Sequence, residues 1–459
     1  MAGIVAIYSL VEDTNRNIII HYLAHSMQML QHRGKAYWKM VICNRVIGRE
    51  GSLPSDHDIL KMAQEQKLYS NNGIGYLSKR SPQFPSMGTV NVALDGFFVD
   101  TEKLHLHPYI GRARHSDSLF KIYHIFTYLL IERQNPELAA EFLDRHLRGN
   151  LIIKVNDEIY AYRNSSGFKP LVIATNRDKT LYIIASENSL HTSFIDMEFN
   201  DIMAGQLIKL SLQKGLEILT NLPGGKLMMD PFEFIRESHV AAIINGKSIY
   251  SIRKNIGKEQ ANLLAKEVDI ESAYAEPDYT RPIALGFSIE YQRCRKDFEI
   301  SEGIIKDRYD DSDHMIDFSE QVSKNKLVTT GRSLKFVIKN LAQNKKIATI
   351  QGTIQTGSTA KETIYYLRNA GAECIDVVVS YVPTVDGRQV GLYTHNRELI
   401  ANKYVGGVSS INELNNKITK EIGADNLNYN SPEILARGIG ISESNLWFPE
   451  WVRFLDYRK

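Results

Sequence analysis

The sequence predicts an α/β protein of two or more globular domains, with a parallel sheet in its carboxyl-terminal half. Three observations carry this. Residues 345–383, KKIATIQGTIQTGSTAKETIYYLRNAGAECIDVVVSYVP, read as strand, small-residue turn, helix and strand in one run, and two strands joined by a crossover helix imply parallel pairing. The chain has 459 residues, 43% of them hydrophobic and 24% charged, enough for two or three domains with cores of their own. The opening MAGIVAIYSL is a short apolar strand, and residues 21–30 follow it with amphipathic helical spacing.

Within the 345–383 run, residues 347–350 are apolar and β-rich, and residues 351–358 form a turn of Gly, Thr and Ser. Residues 360–369 then have helical spacing, Gly371 ends the helix, and residues 374–381 read as a second buried strand. Thr356, Gly357, Ser358, Thr359 and Ala360 stand where the helix begins. Two readings fit them. Free amides, small hydroxyls and the positive end of the helix dipole would hold a phosphate; equally, Thr or Ser would cap the helix and need no ligand.

Composition narrows the function classes. A formal charge of +2 gives no strong field to gather nucleic acid or anionic membrane. No apolar run approaches a membrane span and no signal-peptide pattern opens the chain, so a soluble, cytoplasmic protein is expected. Cys43, Cys294 and Cys374 lie far apart, without a CxxC pair or a His cluster, so neither a disulfide framework nor a zinc site is legible. No metal and no cofactor is expected.

The 345–383 run resembles the phosphoribosyl-pyrophosphate loop of type I phosphoribosyltransferases. In that family a hydrophobic strand leads into two acidic residues that bind the ribose hydroxyls, and the following turn holds the 5′-phosphate. At the acidic pair this chain has Gln351 and Gly352. The resemblance therefore implies a phosphate cradle without its ribose clamp.

A wider resemblance runs along the chain. LQHRG (residues 30–34), NGIGYLS (72–78), ALDG (93–96), LRG (147–149), YRNSSGFKPL (162–171) and ASE (185–187) follow the order of the glutaminase domain of amidophosphoribosyltransferases. These enzymes take ammonia from glutamine to make phosphoribosylamine. The resemblance implies an N-terminal-nucleophile (Ntn) hydrolase αββα sandwich over residues 1–230. A type I phosphoribosyltransferase domain would then fill residues 231–459, where DPFEFIRES, EPDYTRPIALGFS, EGIIKDRY, GLYTHNRELIA and EIGADNLNYNSPEIL continue the match.

The family's catalytic positions are altered. The residue after the initiator Met is Cys in the family and Ala2 here, and a methyl group cannot form the acyl intermediate. The Arg that holds the glutamine carboxylate falls at Ser78, and the oxyanion Asn falls at Asp95, with Gly96 retained. A carboxylate there opposes a developing oxyanion. The acidic residue near the next helix start is also replaced, with Leu119 after Asp117 and Ser118. An engineered Cys→Ala exchange would change one of these positions; four changes together indicate natural loss. Gln31, His32, Arg33 and Gly34 are read structurally, as a helix end with a Gly stop.

In the carboxyl-terminal half, the family's pyrophosphate-covering loop becomes DDSDHMIDF, residues 310–318. Asp310, Asp311, Asp313 and Asp317 around His314 would repel a pyrophosphate, and consecutive loop carboxylates of this kind are read as solvated rather than metal-binding. The PDSG motif appears as PDYT, with Tyr279 where a small residue stands in the family. Each lost electrostatic partner of a charged transition state costs ~3–4 kcal/mol.

The expectation is a catalytically inactive homologue acting as a regulatory or scaffolding subunit, within a homo-oligomer or a larger complex, with a residual site for a phosphate-bearing ligand. An ammonia-dependent phosphoribosyltransferase is one alternative. A structural or nucleic-acid-associated protein using a local basic stretch at residues 335–346 is another. Trp447, Trp451 and Phe454 have helical spacing around Pro449 and read either as a docked terminal helix or as a partner-binding anchor.

Overall fold

The computed structural model describes residues 2–11, 18–79, 90–102, 104, 118–306, 335–391 and 395–457. The chain divides into two compact units, Met1–Asp230 with Glu237–Lys247 and Pro231–Arg236 with Ser248–Lys459.

The first unit is built on two antiparallel sheets. Its strands are β1 (Ala2–Ser9), β2 (Tyr37–Ile42), β3 (Arg45–Glu50), β4 (Asn72–Ser78), β5 (Val90–Phe98), β6 (Leu147–Val155), β7 (Glu158–Arg163), β8 (Val172–Asn176), β9 (Leu181–Ala185), β10 (Met197–Asp201), β11 (Gln206–Ser211) and β12 (Gly215–Asn221). One sheet has the order β10-β8-β9-β1-β4-β2-β3, the other β12-β11-β7-β6-β5. Alternation along β1 explains the layering: Ala2, Ile4, Ala6 and Tyr8 face Ala93, Ile152, Ala161 and Ile208 of the other sheet. Its alternate residues Val5 and Ile7 pack outward with Leu23 and Met27 of α1 (Ile18–Met29) and Ile59 of α2 (Asp56–Glu65). On the far side, α3 (Ser118–Thr127) and α4 (Pro136–His146) cover Val92, Leu94, Leu151 and Ile153. The result is an αββα sandwich. Burying each Ile or Leu contributes ~1.5–3 kcal/mol. Helix starts are set locally: Ser55 accepts from the Asp58 N–H ahead of α2, and Asn135 accepts from Leu138 N–H ahead of α4, with Pro136 in its first turn.

Gly34 corrects one expectation. It is no left-handed helix stop, because its φ of 174° is extended backbone and only a 3-10 turn, Gln31–Arg33, precedes it. Space requires the glycine instead: a Cβ there would lie 2.4 Å from the Ser78 carbonyl carbon. Gly34→Ala is therefore expected to cost ~1–3 kcal/mol as overpacking against a strand that cannot yield. A urea midpoint equal to that of the unmodified protein would contradict this.

The second unit holds a parallel four-stranded sheet, Ser272–Ala275, Lys346–Gln351, Cys374–Val379 and Asn426–Tyr429 in that spatial order. The Ser358–Asn369 helix is the crossover between its two central strands, as the sequence predicts. No helix among the described residues is long and apolar enough to cross a membrane.

Candidate functional site

Five chain segments converge at the amino-terminal end of β1. The Ala2 N–H donates to Asp95 Oδ1 at 2.9 Å. Arg33, in the turn after α1, donates from Nη1 to Asp95 Oδ2 at 3.1 Å, and from Nε and Nη2 to Glu187 Oε2 at 3.0 and 2.9 Å. Glu187, just after β9, also meets His32 Nε2 at 3.1 Å and accepts from the His239 N–H at 3.1 Å. The side chains of Arg33, Asp95 and Glu187 have no exposed surface. Burial alone would raise the Glu187 carboxyl. The charges of His32 and Arg33, with hydrogen bonds from His32 and Ser189, hold it well below the ordinary carboxylate range instead.

Ala2 and Asp95 are two of the positions at which the resemblance places catalytic residues. Ala2 offers a methyl group, and Asp95 is a buried acceptor committed to Ala2 and Arg33. Ser78, 6% exposed, pairs across β4 with Ala2. Gly96 pairs with Gly149 on β6, where a Cβ would lie 2.2 Å from the Arg148 carbonyl oxygen. The next cation after Ser78, Lys79, is bonded to Glu237 at 3.0 Å. Asp117 lies outside the described residues, as do the side chains of Ser118 and Leu119. Arg33 reads in the sequence as helix-end packing, whereas the fold makes it the centre of a buried ion network; the signal in the sequence is an acid at position 95 alongside a retained HRG. His32 also lines a cavity of about 330 Å³ with Gln28, Met29, Ser189 and His239.

In the second unit, the helix that begins at Ser358 is capped by Gly357, which has a φ of 84° and offers no side-chain cap. Thr356 Oγ1 lies 3.0 Å from Ser358 Oγ and 3.4 Å from its N–H. Thr356 and Thr359 are exposed, whereas Gly357 and Ala360 are buried. The turn thus presents small hydroxyls and first-turn amides, a geometry suited to an anion.

The neighbouring acidic-pair positions are closed. Gln351 is 2% exposed, and its Nε2 has no hydrogen-bond partner. A Cβ on Gly352 would lie 2.2 Å from Cε2 of Tyr279 and 2.5 Å from its hydroxyl. Burial raises the Tyr279 phenol above its ordinary range, and the Arg236 guanidinium sits 5.3 Å over its ring. Glu276, three residues earlier, is paired with Lys335 and accepts from Thr363 Oγ1 at 2.6 Å.

Two further expectations change. Trp447 is not on the terminal helix, which spans only Glu450–Phe454 with Pro449 as its cap. Trp447 lies under the Arg388 guanidinium at 5.9 Å, Trp451 is partly buried, and Phe454 is 78% exposed. The basic stretch at residues 335–346 is largely neutralised: Lys335 pairs with Glu276, Lys345 with Glu299 and Lys346 with Asp269. The acidic loop at residues 310–318 lies outside the described residues.

No family model matches the chain. Curated relatives do. An amidophosphoribosyltransferase of Methanothermobacter thermautotrophicus is 25% identical, across 97% of this chain and 92% of the relative. One from Synechococcus elongatus is 26% identical over 93% and 85%, and one from Methanocaldococcus jannaschii 26% over 96% and 94%. Among solved structures, the glutamine phosphoribosylpyrophosphate amidotransferase of B. subtilis, complexed with ADP and GMP, superposes with a TM-score of 0.71 at 20% identity, covering 97% of this chain and 95% of that one. A second, described as the allosteric regulatory enzyme of purine biosynthesis, gives 0.73 at 19%, covering 97% and 94%. These likenesses span both units: along nearly its whole length the chain is similar to amidophosphoribosyltransferases and shares the fold of the solved amidotransferases.

Proposed function

We propose that this chain is a non-catalytic member of its family that serves as a regulatory or scaffolding subunit. The observation that carries the reading is the Asp95 carboxylate, bonded to the Ala2 N–H and to Arg33 where an oxyanion donor would be needed. Tyr279 against Gly352 supports the same reading for the transferase half, since it occupies the space an acidic side chain would enter. Glutamine hydrolysis and Mg²⁺-dependent consumption of phosphoribosyl pyrophosphate with ammonia should both stay at the level of a protein-free control. Turnover with ammonia would overturn the reading in favour of the alternative that the relatives' name supports, an ammonia-dependent transferase.

The Thr356–Ala360 turn is proposed as a residual site for a phosphate-bearing ligand, because Gly357 leaves the first-turn amides without a side-chain cap. Titration calorimetry with inorganic phosphate, nucleoside monophosphates and phosphoribosyl pyrophosphate should give heat that Gly357→Val abolishes. No heat from any of the three would remove the ligand and leave the scaffold. Trp447, Trp451 and Phe454 form the proposed partner-binding surface, with Phe454 as its exposed anchor. Capture of the native protein from extract, with and without Phe454→Ala, should show a stoichiometric protein partner that the variant loses.

A further inference from the structure

α1 carries two histidines one turn apart, His21 and His25, on the side of the helix opposite the buried Leu23 and Met27. Residues four apart on a helix are neighbours, with about 5–6 Å between their Cβ atoms. Here the two imidazoles lie with ring centroids 6.2 Å apart and planes 15° from parallel. His21 is exposed and His25 is partly so. Among the described residues, no hydrogen bond engages either ring nitrogen of His21 or Nε2 of His25.

His25 is held in place by neighbours from two other elements. Its Nδ1 lies 3.3 Å from Oδ2 of Asp56, the first residue of α2. Phe194 meets the imidazole edge-on, with centroids 5.6 Å apart, and is itself buried against Tyr22. A carboxylate only accepts, so Nδ1 carries the hydrogen, and in the neutral ring Nε2 keeps its lone pair. Metal-binding histidines have this outer arrangement: the second nitrogen donates to a carboxylate, which fixes the tautomer and the direction of the ring. The other oxygen of the same carboxylate, Asp56 Oδ1, is buried and accepts no hydrogen bond. The corner between α1 and α2 therefore combines two imidazoles, one of them oriented, with an acceptor that no donor of the fold satisfies.

We propose that His21 and His25 form a binding site for a divalent first-row transition-metal ion, with Asp56 positioning His25. Imidazole pairs suit zinc, nickel and copper, whereas magnesium and calcium take oxygen ligands. With metal–nitrogen distances of about 2.0–2.1 Å in a tetrahedral shell, the two nitrogens stand roughly 3.3 Å apart. Rings whose centroids are already 6.2 Å apart reach that spacing by rotation of the exposed His21 about its own side-chain bonds. No group of three His, Cys, Asp or Glu among the described residues is placed to hold a metal. Water therefore completes the shell, and the site is an open one that leaves positions for a further ligand. It is independent of the Arg33 network and of the loss of catalysis.

The test titrates the full chain with zinc chloride by calorimetry near neutral pH, beside His21→Gln, His25→Gln, Asp56→Asn and His57→Gln, each first checked by urea unfolding without metal. The unmodified chain should bind zinc at a site that both His21→Gln and His25→Gln weaken. Asp56→Asn should weaken it by about tenfold or more, the usual cost of a lost outer partner, and each of the two histidine variants by at least as much. An Asp56 with a merely structural role would move the metal-free urea midpoint and leave the zinc affinity alone. His57 is exposed beside Asp56 and serves as the control; His57→Gln should leave the affinity unchanged. Absence of zinc binding by the unmodified chain, or an affinity that His21→Gln, His25→Gln or Asp56→Asn leaves intact, overturns the proposal. So does a loss in His57→Gln as large as those in His21→Gln and His25→Gln, which would place the zinc on a different set of side chains.

Discussion

Arg33→Met is expected to lower the unfolding free energy by ~3–5 kcal/mol near neutral pH, the usual cost of breaking a buried ion pair by removing one partner. Two fully buried carboxylates share this guanidinium: Asp95 pairs with it directly, and Glu187 pairs with it as well as with His32. Methionine keeps much of the volume, so the loss measures charge more than packing. The pH dependence separates the two. Glu187 has a folded pKa below its unfolded one, so the stability it contributes is present above the unfolded value of about 4.3 and is lost only as pH falls through the folded value. The unmodified chain should therefore keep this contribution down to the ordinary carboxylate range. In the variant, loss of the guanidinium lets burial raise the carboxyl pKa values, of Asp95 and, with His32 still beside it, of Glu187 to a smaller degree, so protonation relieves the uncompensated charge. The gap between the two proteins, read from urea unfolding at a series of pH values, should narrow on acidification. A gap that stays constant from neutral pH down through the carboxylate range would assign the loss to packing alone.

The same network shows why the candidate site was only partly legible. Ala2, Ser78 and Asp95 could be found in sequence because each stands at a fixed distance from a motif. Arg33 could not be assigned, because its partners lie 62 and 154 residues away and only the folded sheets bring them together. Gly34 invited the wrong reason for the right residue, since glycine signals both positive φ and close backbone approach. The strand, turn and helix at residues 345–383 were legible because their hydrogen bonds are local or join neighbouring parallel strands. The lysines of residues 335–346 read as a local basic stretch, because a sequence does not display the carboxylates of distant segments that pair with Lys335, Lys345 and Lys346. In the tail, Pro449 cuts the helical spacing, and Trp447 falls outside the helix.

Gly352→Ala should cost ~1–3 kcal/mol in the unmodified chain and much less in a Tyr279→Ser background. The reason is geometric. The added Cβ would meet the half-buried Tyr279 ring at 2.2 Å, with the Arg236 guanidinium over that ring, so relief requires strain or a displaced aromatic. Removing the phenol opens the space, and the cycle of the two single variants and the double variant should return a coupling of ~1–3 kcal/mol. A coupling near zero would mean that the ring moves freely, and Tyr279 could not then be what excludes a side chain at this position. The consequence reaches function. If Gly352 tolerates a Cβ only after Tyr279 is removed, then an acid restored at position 352 is selected against on stability before any catalytic benefit could arise. Each residue then holds the other in place: the small residue makes room for the ring, and the ring forbids a larger residue. Gly352→Asp in the unmodified chain should then be the least stable of the single variants at this site, with Tyr279→Ser recovering most of the difference. Equal unfolding midpoints for Gly352→Asp with and without Tyr279→Ser would show that the transferase site is open to repair by one substitution.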